Sequence, residues 1–254
     1  MSLARPPEVA PATALLAVRS LGKKYGGLVA LHDVSFDVAE GQTVGVMGAN
    51  GAGKTTLFSL IAGNARPTAG QIYFEGQPIV GLRADQICRL GVARTFQIVK
   101  PFPMLTVLEN LRTAAMFGKA QIHDMEEADA ASRIVLQQVG LAPMEQQLAS
   151  TLTLSGQKRL EIARAVATGA RLIMLDEVMA GLTPTEVVQM LQTLRHLQAT
   201  RGFTLLVIEH VMRALMELCG HIVVLHHGEL IAQGKPAEIA ENPDVLSVYF
   251  GEHV

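Results

Sequence analysis

One stretch limits the fold more than any other. Gly48-Ala49-Asn50-Gly51-Ala52-Gly53-Lys54-Thr55 follows the apolar run TVGVM and leads into TLFSLIA, which sets the pattern G-x-x-x-x-G-K-[ST] between a strand and a helix. Such glycines let successive backbone N–H groups turn inward around a phosphate, at the positive end of the helix dipole. Lys54 supplies a point charge for the β- and γ-phosphates, and Thr55 a hydroxyl for Mg²⁺. Asn50, Gly51, Ala52, Gly53 and Thr56 complete the expected cradle. A glycine-rich turn with a stray lysine is the competing reading, and the flanking strand and helix argue against it.

A phosphate cradle of this kind needs a second strand bearing a carboxylate, because a metal bridging the phosphates has to be held from the opposite side. LIMLDE, residues 172–177, supplies it. Four apolar residues bury the strand and deliver Asp176 to its carboxyl end, where ligands of open α/β sheets bind. Glu177 follows, placed to orient or deprotonate a water. An acid pair that caps the next helix is the alternative.

The remaining pattern describes an α/β fold. Short β-branched runs from about residue 16 to 47 predict an antiparallel sheet that feeds a buried strand. Helical spacing covers 83–90, 106–118, 125–139 and 155–168. Beyond these, LIMLDE, FTLLVIEH and HIVVLHH alternate with amphipathic segments, which indicates a mostly parallel sheet with crossover helices. The expected organisation is a loose tail over 1–14 and a single domain over 15–254. That domain has an N-terminal antiparallel β subdomain and a helical subdomain inserted at approximately 98–165.

Composition removes several function classes. A formal net charge of −2 with scattered Lys and Arg argues against nucleic acid. Cys88 and Cys219 form no CxxC pattern, so neither a disulfide framework nor a zinc site is expected. No apolar run is long enough to span a bilayer, and prolines break up the first residues, against a cleaved signal.

In this order, these motifs resemble an ATP-binding cassette (ABC) ATPase over nearly the whole chain. The resemblance implies ATP and Mg²⁺ as ligands, Glu177 as catalytic base, and Asp176 and Thr55 at the metal. It puts Tyr25 where the family stacks an aromatic on adenine, and Gln97 in RTFQIVKPF in the loop that senses Mg²⁺ and contacts the transport subunit. His210 falls at the switch histidine, and Thr183 in AGLTP where many members have Asp. GVARTFQ, MLTVLENL, RLEIARA, VIEHVM and NPDVLSVYFGE are similar to the ATPase subunits of branched-chain amino-acid uptake systems and their relatives for amides and urea. Such a subunit works on the cytoplasmic face of a bacterial inner membrane as a homo- or heterodimer of ATPases, beneath two transmembrane permease subunits that receive solute from a binding protein. A soluble cassette, a non-hydrolysing regulator and an exporter ATPase are the alternatives.

Two places depart from the simple pattern. The family's signature serine stands 23 residues before the strand-end Asp, where this chain has Thr153, whereas Ser155 of the literal LSGQ stands 21 before it. An ungapped register puts Thr153 at the serine, Leu154 and Ser155 at the glycines and Gly156 at the glutamine. The other register shortens the chain by two residues. The ungapped one implies a weak phosphate grip, because Leu154 keeps the backbone further from a ligand than Gly would, and it favours a heterodimer. Thr153 or Ser155 would also serve as a plain helix cap. The second place is IVKPFPMLTV, whose Phe102, Met104 and Leu105 lie among prolines. They predict either an exposed apolar patch for a membrane-subunit helix or local packing.

Overall fold

Strands β1 (Ala14–Tyr25) and β2 (Leu28–Ala39) pair antiparallel and bury Leu16, Val18, Leu31, Val34, Phe36 and Val38 on one side. A second, parallel-rich sheet lies against this buried face. The computed structural model describes residues 14–95 and 101–250, without the side chains of the last two. Strands β4 (Ala69–Phe74) and β5 (Gln77–Pro78) extend the first sheet to the order β2-β1-β4-β5.

The second sheet holds β3 (Thr43–Met47), β6 (Val92–Arg94), β7 (Leu172–Asp176), β8 (Thr204–Ile208), β9 (His221–His226) and β10 (Glu229–Gly234), in the order β10-β9-β3-β8-β7-β6. All neighbours are parallel except the β9–β10 hairpin. Every residue of β3, β7 and β8 is buried. A parallel strand covered on both faces needs continuous apolar sequence, and TVGVM, LIMLD and TLLVI provide it. On one face Val44, Val46, Leu172, Met174, Leu206 and Ile208 join the core shared with β1 and β2 and with α1 (Lys54–Ile61). On the other, Ile173, Leu175, Leu205 and Val207 meet the helices.

Helices α2 (Ala84–Leu90), α3 (Val107–Phe117), α4 (Met125–Gln138), α5 (Leu154–Ala167) and α6 (Pro184–Arg201) follow the expected periodicities. Their starts carry side-chain caps from Thr106, Asp124, Thr153 and Thr183 at α3 to α6. α7 (Met212–Leu218), α8 (Pro236–Ala240) and α9 (Pro243–Phe250) pack over the outer side of β3 and β9. The fold class is the expected one: an α/β core with an antiparallel sheet at its N-terminal side and helices inserted between β6 and β7. Sequence pattern missed β4, β5, β6 and β10, all of six residues or fewer. No helix among the described residues is long and apolar enough to cross a membrane.

Segment 101–106, ahead of α3, is shaped by one buried amide. Asn110 accepts the N–H of Phe102 at 2.9 Å and donates to the carbonyls of Phe102 at 3.1 Å and Thr106 at 2.9 Å. Of the three apolar residues singled out here, Phe102 and Met104 are 45% and 77% exposed and Leu105 is half-buried.

Candidate active site

β3, β8 and β7 are neighbours in the second sheet, so their carboxyl ends deliver three loops to one edge. From β3 comes the glycine loop. Gly53, the residue before α1, has φ 104°, and a Cβ there would meet Leu31 Cδ2 at 2.6 Å and the Ala30 carbonyl at 2.7 Å. Only glycine fits both the backbone and the space. The turn between β9 and β10 closes behind the loop, where Gly228 donates its N–H to the Ala52 carbonyl at 3.1 Å. Lys54 is 6% exposed, and its ammonium donates to the carbonyls of Gly48 and Ala49 at 2.6 and 3.0 Å. Burial lowers the Lys54 pKa, opposed by the charges of Glu177 and Asp176. Both carboxylates therefore lie within electrostatic reach of the glycine loop.

From β7 comes Asp176, 1% exposed, held by Arg94 at 2.8 Å from its Oδ2. Glu177 follows with φ 52°, a left-handed conformation that a side chain rarely adopts. Three contacts fix the turn around it. The Glu177 N–H donates to the Ile208 carbonyl at 2.9 Å, Lys158 Nζ donates to the Glu177 carbonyl at 3.1 Å, and the Met179 N–H donates to Glu209 Oε1 at 2.8 Å. From β8 comes His210, whose Nε2 lies 2.6 Å from Glu177 Oε1. A carboxylate so placed, with a histidine against it and a lysine-bearing loop on the next strand, is arranged to activate water beside a polyphosphate.

Sequence reasoning passed over Arg94, Lys158 and Glu209. Glu209 is 4% exposed, and burial pushes its carboxyl up to about 7. The Met179 N–H and the Lys158 charge work against that rise, and the Glu177 charge adds to it. Its place directly before His210 was the one available signal.

The remaining candidates are distributed around this edge. α5 begins at Leu154 with Thr153 as its N-cap, and Thr153 Oγ1 accepts the Gly156 N–H at 3.2 Å. Ser155 is 8% exposed and lies near Glu186, while Leu154 stands 46% exposed beside Gly181. Thr183 caps α6, and its hydroxyl donates to Glu186 at 2.8 Å. Thr55, Asn50 and Gly51 are exposed and Thr56 half-buried on the open side of the loop. Tyr25, at the end of β1, is half exposed with Lys23 Nζ 4.6 Å from its ring centre. Gln97 lies outside the described residues.

Comparison with known proteins agrees with this geometry. A family model described as "ABC transporter" matches residues 31–180, and one described as "Branched-chain amino acid ATP-binding cassette transporter" matches residues 229–254. The high-affinity branched-chain amino acid transport ATP-binding protein BraF of Pseudomonas aeruginosa is 39% identical over 250 residues, covering 94% of this chain and 98% of BraF. The ADP conformation of an ATP-binding cassette of an ABC transporter superposes with a TM-score of 0.84 at 29% identity, over 94% of this chain and 99% of that one. A bacterial ABC transporter cassette solved as a dimer gives 0.79 at 25% identity, over 87% and 98%. With the glycine loop, the acidic strand end and the histidine on one sheet edge, these matches make the chain a member of the ABC transporter ATP-binding family, in its branched-chain amino acid branch.

Proposed function

We propose that this ABC ATPase drives import of branched-chain amino acids or related small solutes, as one of two cassettes beneath two membrane permease subunits that a solute-binding protein supplies. It would work on the cytoplasmic face of the membrane. The observation that carries the reading is the 2.6 Å contact between His210 and Glu177 beside the Lys54 loop. Thr55 and Asp176 offer hard oxygen donors suited to Mg²⁺. When bound, that ion would neutralise charge developing on the phosphates. Lys54 binds the phosphates, backbone N–H groups of the glycine loop would orient them, and Glu177 takes the proton of a water that attacks the γ-phosphorus as its bond to ADP breaks. His210 holds the Glu177 carboxylate in place.

A groove of about 360 Å³ lined by Cys88, Arg94, Phe102, Phe117 and Arg164 suits a membrane-subunit helix. Arg164 packs over the Phe102 ring, 4.9 Å from its centre, which sets a guanidinium behind an apolar lip. At the signature stretch, capping by Thr153 supports the ungapped register. With Leu154 at a glycine position and Ser155 buried, the stretch favours a heterodimer in which the partner cassette supplies the stronger grip.

Glu177→Gln tests the central assignment. It keeps the shape and removes the base, so ATP binding should persist while turnover falls at least a hundredfold. Steady-state ATPase above about a tenth of wild type would overturn the role of Glu177.

A further inference from the structure

The strand-end carboxylate has a buried partner that joins two sides of the site. Arg94 ends β6, and one of its terminal nitrogens lies 2.8 Å from Asp176 Oδ2 while the other lies 3.1 Å from Ser59 Oγ. The Arg94 and Asp176 side chains are 8% and 2% exposed. Ser59 in turn donates its hydroxyl to the Thr55 carbonyl at 2.7 Å. One guanidinium therefore connects the first turn of α1, which bears Thr55, to the end of β7, which bears Asp176.

Thr95 completes the grip. Its N–H donates to the Met174 carbonyl at 2.9 Å, and its hydroxyl accepts the Asp176 N–H at 3.0 Å. A buried ion pair gives up the hydration of both charges, and apolar residues often stabilise a fold as well or better. Stability alone is a poor reason for this pair. Orientation is a better one, because carboxylates that hold a metal depend on outer hydrogen-bond partners to aim them.

We propose that Arg94 is a positioning residue for Mg²⁺: by fixing Asp176 through Oδ2 and α1 through Ser59, it aims the other Asp176 oxygen and the Thr55 hydroxyl at one shared cation. The inference rests on the reading of this edge as a Mg²⁺–ATP site. Two effects oppose each other here, one electrostatic and one conformational. The guanidinium charge repels a nearby cation, while the pair removes the rotational freedom of the carboxylate. Orientation dominates because the guanidinium reaches the carboxylate from the β6 and Ser59 side.

The test uses the full chain as wild type, Arg94→Gln, Arg94→Lys and Ser59→Ala. Three quantities are read: the Mg²⁺ concentration giving half-maximal ATPase, the electron paramagnetic resonance signal of bound Mn²⁺ with ATP, and binding of a fluorescent ATP analogue in EDTA. Arg94→Gln should raise the Mg²⁺ requirement about tenfold, as loss of an outer partner of a metal ligand does, and alter the Mn²⁺ signal. Metal-free nucleotide binding should stay within about twofold of wild type, since no phosphate contact is touched. Arg94→Lys should recover part of the loss, and Ser59→Ala should show a smaller shift in the same direction. If Arg94→Gln does not fold, Arg94→Lys and Ser59→Ala decide. Unchanged or tighter metal binding overturns the proposal, as does metal-free binding that falls in step with it. A wild type with no Mg²⁺-dependent ATP binding or turnover would instead overturn the underlying reading of the site.

Discussion

At the scale of single residues, Glu209 ties the loop after Glu177 to the loop bearing His210, through a carboxyl that titrates near neutrality. Its pKa is about 7 in the fold, against 4.5 for an unperturbed glutamate. Between those values the native state holds a proton that the unfolded chain has released. Stability therefore falls as pH rises through this window, and the full penalty persists above it. Glu209→Gln keeps an acceptor for the Met179 N–H and removes the penalty. Relative to wild type, the variant should gain stability between about pH 4.5 and 7, by up to about 3 kcal/mol at roughly 1.4 kcal/mol per pH unit. Urea unfolding of both proteins at either end of the window measures this, and a constant difference would mean that Glu209 ionises as an ordinary surface acid.

At the scale of elements, the start of α5 separates two kinds of capping residue. Thr153 Oγ1 accepts from Gly156, as an N-cap does, whereas Ser155 is buried near Glu186 at the start of α6. If Thr153 also serves a partner's phosphate, Thr153→Ala should cost turnover in the assembled transporter by more than the ~1 kcal/mol of a lost cap explains. Ser155→Ala should lower melting temperature with activity following in proportion. Equal, purely stability-linked losses in both would reduce the stretch to a cap. The elements legible in the sequence are those that carry their own cue: β3 and β7 as unbroken apolar runs, α6 with Thr183, Pro184 and Glu186 at its start. β6 has three residues and β5 two, too few for any period to register. Lys54, Asp176 and Glu177 were legible because a local motif surrounds each. Arg94 was not, because its meaning comes from Asp176, 82 residues away, and Lys158 reads as an ordinary helix lysine until the fold sets it under Glu177.

At the scale of the whole molecule, the groove and the catalytic edge share a wall. Arg94 lines the groove along with Phe102, and on its other side holds Asp176. Changing Phe102 and Leu105 together to Ser should leave the ATPase of the isolated chain within about twofold of wild type, since the Asn110 bonds that shape the segment go to the Phe102 backbone, not to either side chain. The same double variant should lose co-purification with membrane subunits and any transport they support. Full assembly and transport would remove the docking role from this lip. The order of strands also bears on how the protein is made. Among the described residues β3, which carries the glycine loop, pairs with β8 and β9, and the turn that closes behind the loop comes at Gly228. All of these partners leave the ribosome long after β3, so the phosphate cradle cannot set during early synthesis. The apolar strand TVGVM has to wait for its neighbours until most of the chain has emerged, and such non-local pairing makes for slow folding.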